Sequence, residues 1–267
     1  AAQSGKTSDA LEHLKDHIVE VQENSAIVAA ERWLSLPPAE RERSSIFAAG
    51  RRLRSEINAA VQTGLAANGE IGPASARLAV LTRVNATREE LRYARNYAPG
   101  MVLEVASRQS RHGLGRGSHE VAAVDTEKGV VTLRDARGHS RRFVPARLSA
   151  KGCDQTLQLF EKKDLDLYTG DAIRWTASDH KRGLINADRA TVTAIDQGGV
   201  TVTSSSGMEY KLKPNDPMLK RIDLAYALNA HMAQGLTADK GIAVLDSRER
   251  RLLSQRNFLV TITRLRE

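Results

Sequence analysis

Between Asn229 and Thr237 the chain reads NAHMAQGLT, so His231, Gln234 and Thr237 put donors and acceptors into one short stretch with Gly235. This stretch follows the apolar, strand-like run Ile222 to Ala227. Polar groups that leave a buried strand and meet a glycine suit the ligand-facing edge of an open α/β sheet. An ordinary strand–turn–helix joint with incidental polar residues would read the same way. A second place for chemistry is Gly50 to Asn58, GRRLRSEIN, which opens a helix just after the strand-like run Ser45–Ala49. Helix N-terminal amides and the cations Arg51 and Arg54 together can meet a phosphate. A solvated basic helix face is the alternative. Arg264, in the closing run NFLVTITRLR, is by itself an ordinary surface arginine.

Other chemical signals fail on inspection. Ser4-Gly5-Lys6-Thr7 has the tail of a phosphate loop but lacks the earlier glycine and the preceding apolar strand that such a loop needs. The single cysteine, Cys153, excludes an internal disulfide and a cysteine-cluster zinc site, and fits a reducing compartment. His112, His119, His139 and His180 have no metal-ligand spacing.

The elements that must position these residues can be read from periodicity. Leu11, Leu14 and Ile18 have helical spacing, His17–Val21 (HIVEV) suits a strand, and Ala26–Leu34 suits a helix that Pro37-Pro38 stops. Ser45–Ala49 predicts a buried strand, Gly50 to about Leu65 a helix, and Leu78–Arg83 a strand. Thr87 to Tyr93 predicts a short helix with Thr87 as N-cap and Glu90 three residues on. Gly241–Asp246 (GIAVLD) predicts a buried strand near the end.

Between these lies a duplicated β pattern. Pro99-Gly100-Met101-Val102, Gly113-Leu114-Gly115, Val121–Asp125 and Phe143-Val144-Pro145 recur as Thr169-Gly170-Asp171-Ala172, Gly183-Leu184-Ile185, Val192–Asp196 and Leu212-Lys213-Pro214. Short alternating strands with tight glycine turns predict two small SH3-like barrels of five strands. Arginines crowd both copies, Arg134, Arg137, Arg141 and Arg142 in the first and Arg174, Arg182 and Arg189 in the second. Trp175 alternates with Ile173 and suits a barrel core, although beside these cations it could instead stack a base.

The chain has 267 residues, a hydrophobic fraction of 41% and a formal charge of +8. It can bury one substantial core with small satellites, and no apolar run is long enough to cross a membrane. A sequence pI near 9.8 favours a polyanionic partner.

The stretch YALNAHMAQGLT resembles motif V of RecD-like superfamily 1 helicases, and Gly50–Asn58 resembles their motif IV, with Ala49 and Gly50 in place of the usual Pro and Thr. The closing run resembles motif VI, with Leu259 where Tyr is common, and Gly170–Asn186 resembles the segment "GDRIRxTxxDxxRGLxNG". Taken in this order, the motifs are similar to the helicase half of conjugative relaxase-helicases of the TraI/TrwC family. The resemblance implies an α/β fold, a RecA-like parallel-sheet domain interrupted by two SH3-like modules. The expected divisions are residues 1–92 and 219–267 for the RecA-like part, and 93–152 and 153–218 for the modules.

By the same resemblance, Arg264 is the arginine that reaches a γ-phosphate held by the first RecA-like domain of the same polypeptide. Arg51, Arg54, Gln234 and Gly235 would face the nucleotide; Asn58, His231, Thr237, Arg174, Asp179 and Asn186 would face single-stranded DNA. ATP and Mg2+ would be cofactors of a longer protein, since the motifs that hold them are not in this sequence, and this chain alone is expected not to hydrolyse ATP. The opening Ala1-Ala2 and the abrupt end after Glu267 suggest a fragment. A bacterial cytoplasmic setting, a conjugative coupling protein as a further partner and no membrane contact complete the expectation. The alternative is a catalytically idle helicase-like module that binds single strands or serves as a docking and secretion signal for the transfer machinery.

Overall fold

The computed structural model describes residues 15–107, 114–149, 156–229 and 240–246. In chain order the helices are α1 (Ser25–Leu34), α2 (Pro38–Arg43) and α3 (Arg51–Ala67). The strands are β1 (Ser44–Ala48), β2 (Ser75–Arg83), β3 (Val102–Val105), β4 (Gly117–Asp125), β5 (Val130–Arg134), β6 (Ser140–Phe143), β7 (Leu157–Tyr168), β8 (Ala172–Trp175), β9 (Arg189–Asp196), β10 (Gly199–Ser204), β11 (Glu209–Leu212), β12 (Ile222–Leu224), β13 (Ala227–Leu228) and β14 (Lys240–Val244). They form two compact units, one from Arg77 to Asp166 and the other from the residues on either side of it. The compact unit from Arg77 to Asp166 takes in β2 and β7, which lie outside residues 93–152 on either side.

In the outer unit a parallel sheet of order β13-β1-β14 carries the α/β part. Ile46, Phe47 and Ala48 of β1 are all buried, without alternation, as expected of a strand covered on both faces. Helix α3 turns Leu53, Ile57, Val61 and Leu65 inward at four-residue spacing. Its Gly64 lets α1 approach, since a Cβ there would lie 2.2 Å from Leu34 Cδ1. Arg41 of α2 donates to Glu70 at 2.7 Å and lies 5.4 Å from the Trp33 ring centre.

The same unit holds an antiparallel sheet of order β11-β10-β9-β8-β12. Ile173, Trp175, Val192, Val200, Val202, Leu212, Ile222 and Leu224 are buried in it, which settles Trp175 as a core side chain. A tight glycine turn joins β9 to β10, with Asp196 paired to Gly199 across it. Gly199 has φ +127°, and a Cβ on it would stand 1.9 Å from the Leu212 oxygen.

The inner unit is a sheet of order β2-β7-β3-β4-β5-β6. Leu103, Val105, Val121, Val131, Leu133, Phe143, Leu157 and Leu159 fill one core with Leu91 and Tyr97. Leu81, Val102 and Phe160 form a smaller cluster. The capping signal at Thr87 is realised reciprocally: Glu90 N donates to Thr87 Oγ1 at 3.2 Å and Thr87 N donates to Glu90 Oε2 at 2.7 Å. The helix it starts is a short 3-10 turn, Glu90–Arg92.

The duplication is real at the level of strand order. β3-β4-β5-β6 and β8-β9-β10-β11 are matching four-strand meanders, each with a register shift in its second pairing. Each is followed by a 3-10 turn, Pro145–Arg147 or Pro217–Arg221. In each a later strand, β7 or β12, returns to pair antiparallel with the first. Among the described residues the expected closed barrels are not formed, since neither strand order closes on itself. The expected strand at His17–Val21 is also absent, with a 3-10 turn at Lys15–His17 and exposed Ile18 and Val19 after it. Among the described residues no helix is long and apolar enough to cross a membrane.

A polar clamp ties the β8–β9 hairpin to the turn before β12. Arg182 donates to Asp179 Oδ2 at 2.8 Å and to both Asp216 oxygens at 2.5 and 2.9 Å, while Asp216 Oδ1 also caps Met218 N at 2.9 Å. The Arg182 guanidinium holds the Asp216 carboxyl below its ordinary value of 3.8. A depressed carboxyl stabilises the fold above the unfolded value and loses that contribution as pH falls through the folded one. Arg182→Ala should therefore cost about 1–2 kcal/mol in a urea titration near pH 7, the clamp being partly exposed. The deficit should shrink as the pH drops below 3.8.

Candidate functional site

The apolar run that opens motif V is not one strand. Ile222–Leu224 (β12) pairs antiparallel with β8, whereas Ala227–Leu228 (β13) pairs parallel with β1. The chain thus passes from one sheet to the other at Ala225-Tyr226. A break of this kind strips ladder partners from the flanking backbone groups, which must be satisfied in some other way.

Asn58 supplies the partners. Its Nδ2 donates to the Leu224 oxygen at 3.0 Å, and its Oδ1 accepts from Ala227 N at 2.7 Å. One carboxamide therefore spans the break from α3, and only 3% of the residue is exposed. Asn58 was expected to face DNA. Its amide is spent inside the protein on the strand backbone, so its role here is to hold the strand.

One turn further along α3, Gln62 Nε2 donates to Asp171 Oδ2 at 2.7 Å. The same oxygen accepts from Tyr168 N at 2.7 Å, and Asp171 Oδ1 accepts from the Tyr226 hydroxyl at 2.6 Å. Asp171 has no exposed surface. Burial pushes its carboxyl up from the ordinary value, against the pull of the hydrogen bonds from Tyr226, Tyr168 and Gln62. Burial also pushes the Tyr226 hydroxyl upward, helped by the Asp171 charge. Tyr226 packs its ring 6.2 Å from Trp33 of α1.

At the carboxyl end of the parallel sheet, β1 and β13 finish side by side. Asn229 Nδ2 donates to the Ala49 oxygen at 3.4 Å, which joins the end of β13 to the turn that starts α3. Gly50 caps α3 without a side-chain hydrogen bond to the helix, and Arg51 is exposed at its first turn. Arg54 is 8% exposed and lies on the inner side of the helix. The carboxyl edge of an open parallel sheet is where such folds bind ligands. His231, Gln234, Gly235, Thr237 and Arg264 lie outside the described residues.

The candidates in the second meander are dispersed. Arg174 is 7% exposed and paired with Asp223 across β8 and β12. Asp179 accepts from Arg182 and forms a bridge with Leu184, so it shapes a hairpin. Asn186 is exposed, with its N–H on Ser178 Oγ at 2.9 Å. The structure brings Arg51, Arg54 and Asn229 toward one sheet edge but leaves Asp179 and Asn186 on a separate hairpin. Gln62, Asp171 and Tyr226 were missed as a group. The four-residue spacing of Asn58 and Gln62 was the available signal, but nothing local points to Asp171.

Residues 80–167 match the family described as the DNA relaxase TraI 2B/2B-like domain. The multifunctional conjugation protein TraI of Escherichia coli strain K12 is 29% identical over 209 residues, which is 78% of this chain and 11% of that protein. A second Escherichia coli TraI is 30% identical over 211 residues, with the same coverage. The chain thus spans about a ninth of the length of these relatives. Among solved structures, a pair of coordinating Pif1 helicases on forked double-stranded DNA aligns with 94% of this chain and 46% of its own, at 15% identity and a TM-score of 0.40. The Bacteroides Pif1 helicase in complex with ADP-AlF3 and single-stranded DNA aligns with 94% and 48%, at 14% identity and a TM-score of 0.40.

Replacing Asn58 with alanine strands the Leu224 oxygen and the Ala227 N–H in the interior. Each orphaned buried group costs about 1–3 kcal/mol, so Asn58→Ala should lose about 2–4 kcal/mol of unfolding free energy in denaturant. An unchanged midpoint would show that the break in the strand is held by something else.

Proposed function

On the premise that this chain is a region of the TraI relaxase-helicase type, we propose that it forms the second RecA-like domain of a DNA helicase motor with two inserted β modules. The observation that carries this reading is the meeting of motifs IV and V at one sheet edge, where Asn229 reaches Ala49 at 3.4 Å. The turn into α3 and the exit from β13 lie there together, and the polar segment His231–Thr237 follows directly in sequence.

In this reading ATP and Mg2+ are held chiefly by a first RecA-like domain elsewhere in the same polypeptide. Arg51 and the α3 amides lie on the nucleotide side, with Arg54 behind them. Gln234 and Gly235 face the nucleotide, His231 and Thr237 face single-stranded DNA, and Arg264 meets the γ-phosphate. An arginine arriving from a second domain acts by stabilising charge on the transferring phosphoryl group. The β modules offer exposed cations to a DNA backbone, among them Arg134 on β5 and Arg141 and Arg142 on the edge strand β6. The relatives' description as conjugation proteins supports a role in conjugative DNA transfer, and a conjugative coupling protein is proposed as a further partner.

Two measurements test the motor. Arg264→Ala in the polypeptide that carries both RecA-like domains should lower DNA-stimulated ATP turnover by about a thousandfold or more. Near-normal turnover would instead favour an idle, strand-binding module. The chain on its own should bind a single-stranded oligonucleotide with an affinity that falls steeply as salt rises, because each neutralised phosphate releases counterions. A flat salt dependence would remove DNA from the proposal.

A further inference from the structure

Helix α3 carries Arg54, Asn58 and Gln62 at four-residue spacing, one per turn along one side. Asn58 grips the backbone on both sides of the strand break, and Gln62 grips Asp171 at the head of β8. Tyr226, inside the break, grips the other oxygen of Asp171. The main chain closes the circuit: Ala225 N donates to the Ala172 oxygen at 2.9 Å. Helix, strand break and meander thus share one buried carboxylate.

The first meander shows that the backbone does not require this carboxylate. Gly100 N donates to the Val121 oxygen at 2.9 Å and Val121 N to the Met101 oxygen at 2.8 Å. In the second meander Gly170 N donates to the Val192 oxygen at 2.8 Å and Val192 N to the Asp171 oxygen at 2.9 Å. Gly100 and Gly170 also share positive φ, 87° and 98°. Met101 therefore occupies in one copy the place that Asp171 occupies in the other, with the same main-chain bonds. An apolar residue satisfies that turn at no desolvation cost. The acid in the second copy is explained by its partners, Gln62 and Tyr226, and not by the turn it stands in.

We infer that Gln62, Asp171 and Tyr226 form a transmission joint. It ties α3, which starts at the proposed nucleotide edge, and β13, which ends there, to the second meander, one of the two β modules proposed to meet DNA. These are positioning residues that touch neither ligand, and the inference rests on the motor reading above. A joint of this kind has two separable properties: it does not set ligand affinity, but it sets how far one ligand is felt at the other site.

The test uses the full polypeptide with Gln62→Met and Tyr226→Phe, singly and together, and measures ATP turnover with and without a single-stranded oligonucleotide, the oligonucleotide Kd and the melting temperature. Each single variant should keep unstimulated turnover and Kd within about twofold while stimulation by the oligonucleotide falls about tenfold, and the double variant should fall no further. Stimulation unchanged in folded variants overturns the joint and leaves the motor reading standing. A parallel loss of turnover, affinity and melting temperature also overturns it, marking a packing role alone. Unmodified protein without any DNA-stimulated turnover sinks the motor reading and the joint with it. Gln62 is only partly buried, so Gln62→Met keeps the comparison readable where Tyr226→Phe loosens the fold.

Discussion

A carboxylate with no exposed surface survives in a protein only where hydrogen-bond donors replace the water it has lost. Asp171 has three, from the side chains of Gln62 and Tyr226 and the backbone of Tyr168. They come from a helix, from the break between two strands and from the turn that precedes β8. Satisfying one acid therefore fixes three distant stretches of chain against each other. A misplacement of any of them would leave a buried charge short of a partner, a penalty of several kcal/mol. Much of the outer unit's geometry hangs on this requirement.

The strand break makes the requirement necessary. The six residues Ile222 to Ala227, apolar except for Asp223, could run straight through a single sheet, but β12 runs antiparallel to its neighbour β8 and β13 runs parallel to its neighbour β1. The two pairings have different hydrogen-bond geometry, so one ladder cannot continue into the other without a gap. Asn58 closes that gap because a carboxamide offers a donor and an acceptor on one small planar head. Leucine at that position would fill the space and satisfy neither group; aspartate would satisfy Ala227 N and repel the Leu224 oxygen. The residue that motif comparison assigns to DNA is thus needed first by the fold.

What the sequence makes legible follows the range of the forces involved. β1, α3, β14 and the Thr87–Glu90 cap are set by local periodicity and capping chemistry, and they stand within a few residues of where the pattern places them. The repeated meander is legible too, because its glycine turns and alternating residues recur in order. The strand break, the open sheets and the burial of Asn58 and Arg174 are not legible, because each is decided by a partner far along the chain. Asn58 meets residues 166 and 169 positions away, and Gln62 meets one 109 positions away. Arg174 reads as a cation for DNA until Asp223 arrives beside it from another strand. The motif residues His231, Gln234, Gly235, Thr237 and Arg264 fall outside the described residues, so their role rests on resemblance.

The two meanders also separate what a fold needs from what a partner needs. Their turns match bond for bond on the main chain at Gly100–Met101 and Gly170–Asp171. Even the side-chain contact is echoed: Ala98 N donates to Met101 Sδ at 3.3 Å where Tyr168 N donates to Asp171 Oδ2 at 2.7 Å. Met101 is packed against an apolar core, while Asp171 meets Gln62 and Tyr226. A thioether fills space and accommodates small shifts, because its contacts are weak and non-directional. A carboxylate held by three donors fixes both distance and direction. One module architecture therefore appears once with a compliant residue at this turn and once with a stiff one, and the stiff one stands where the chain crosses between sheets.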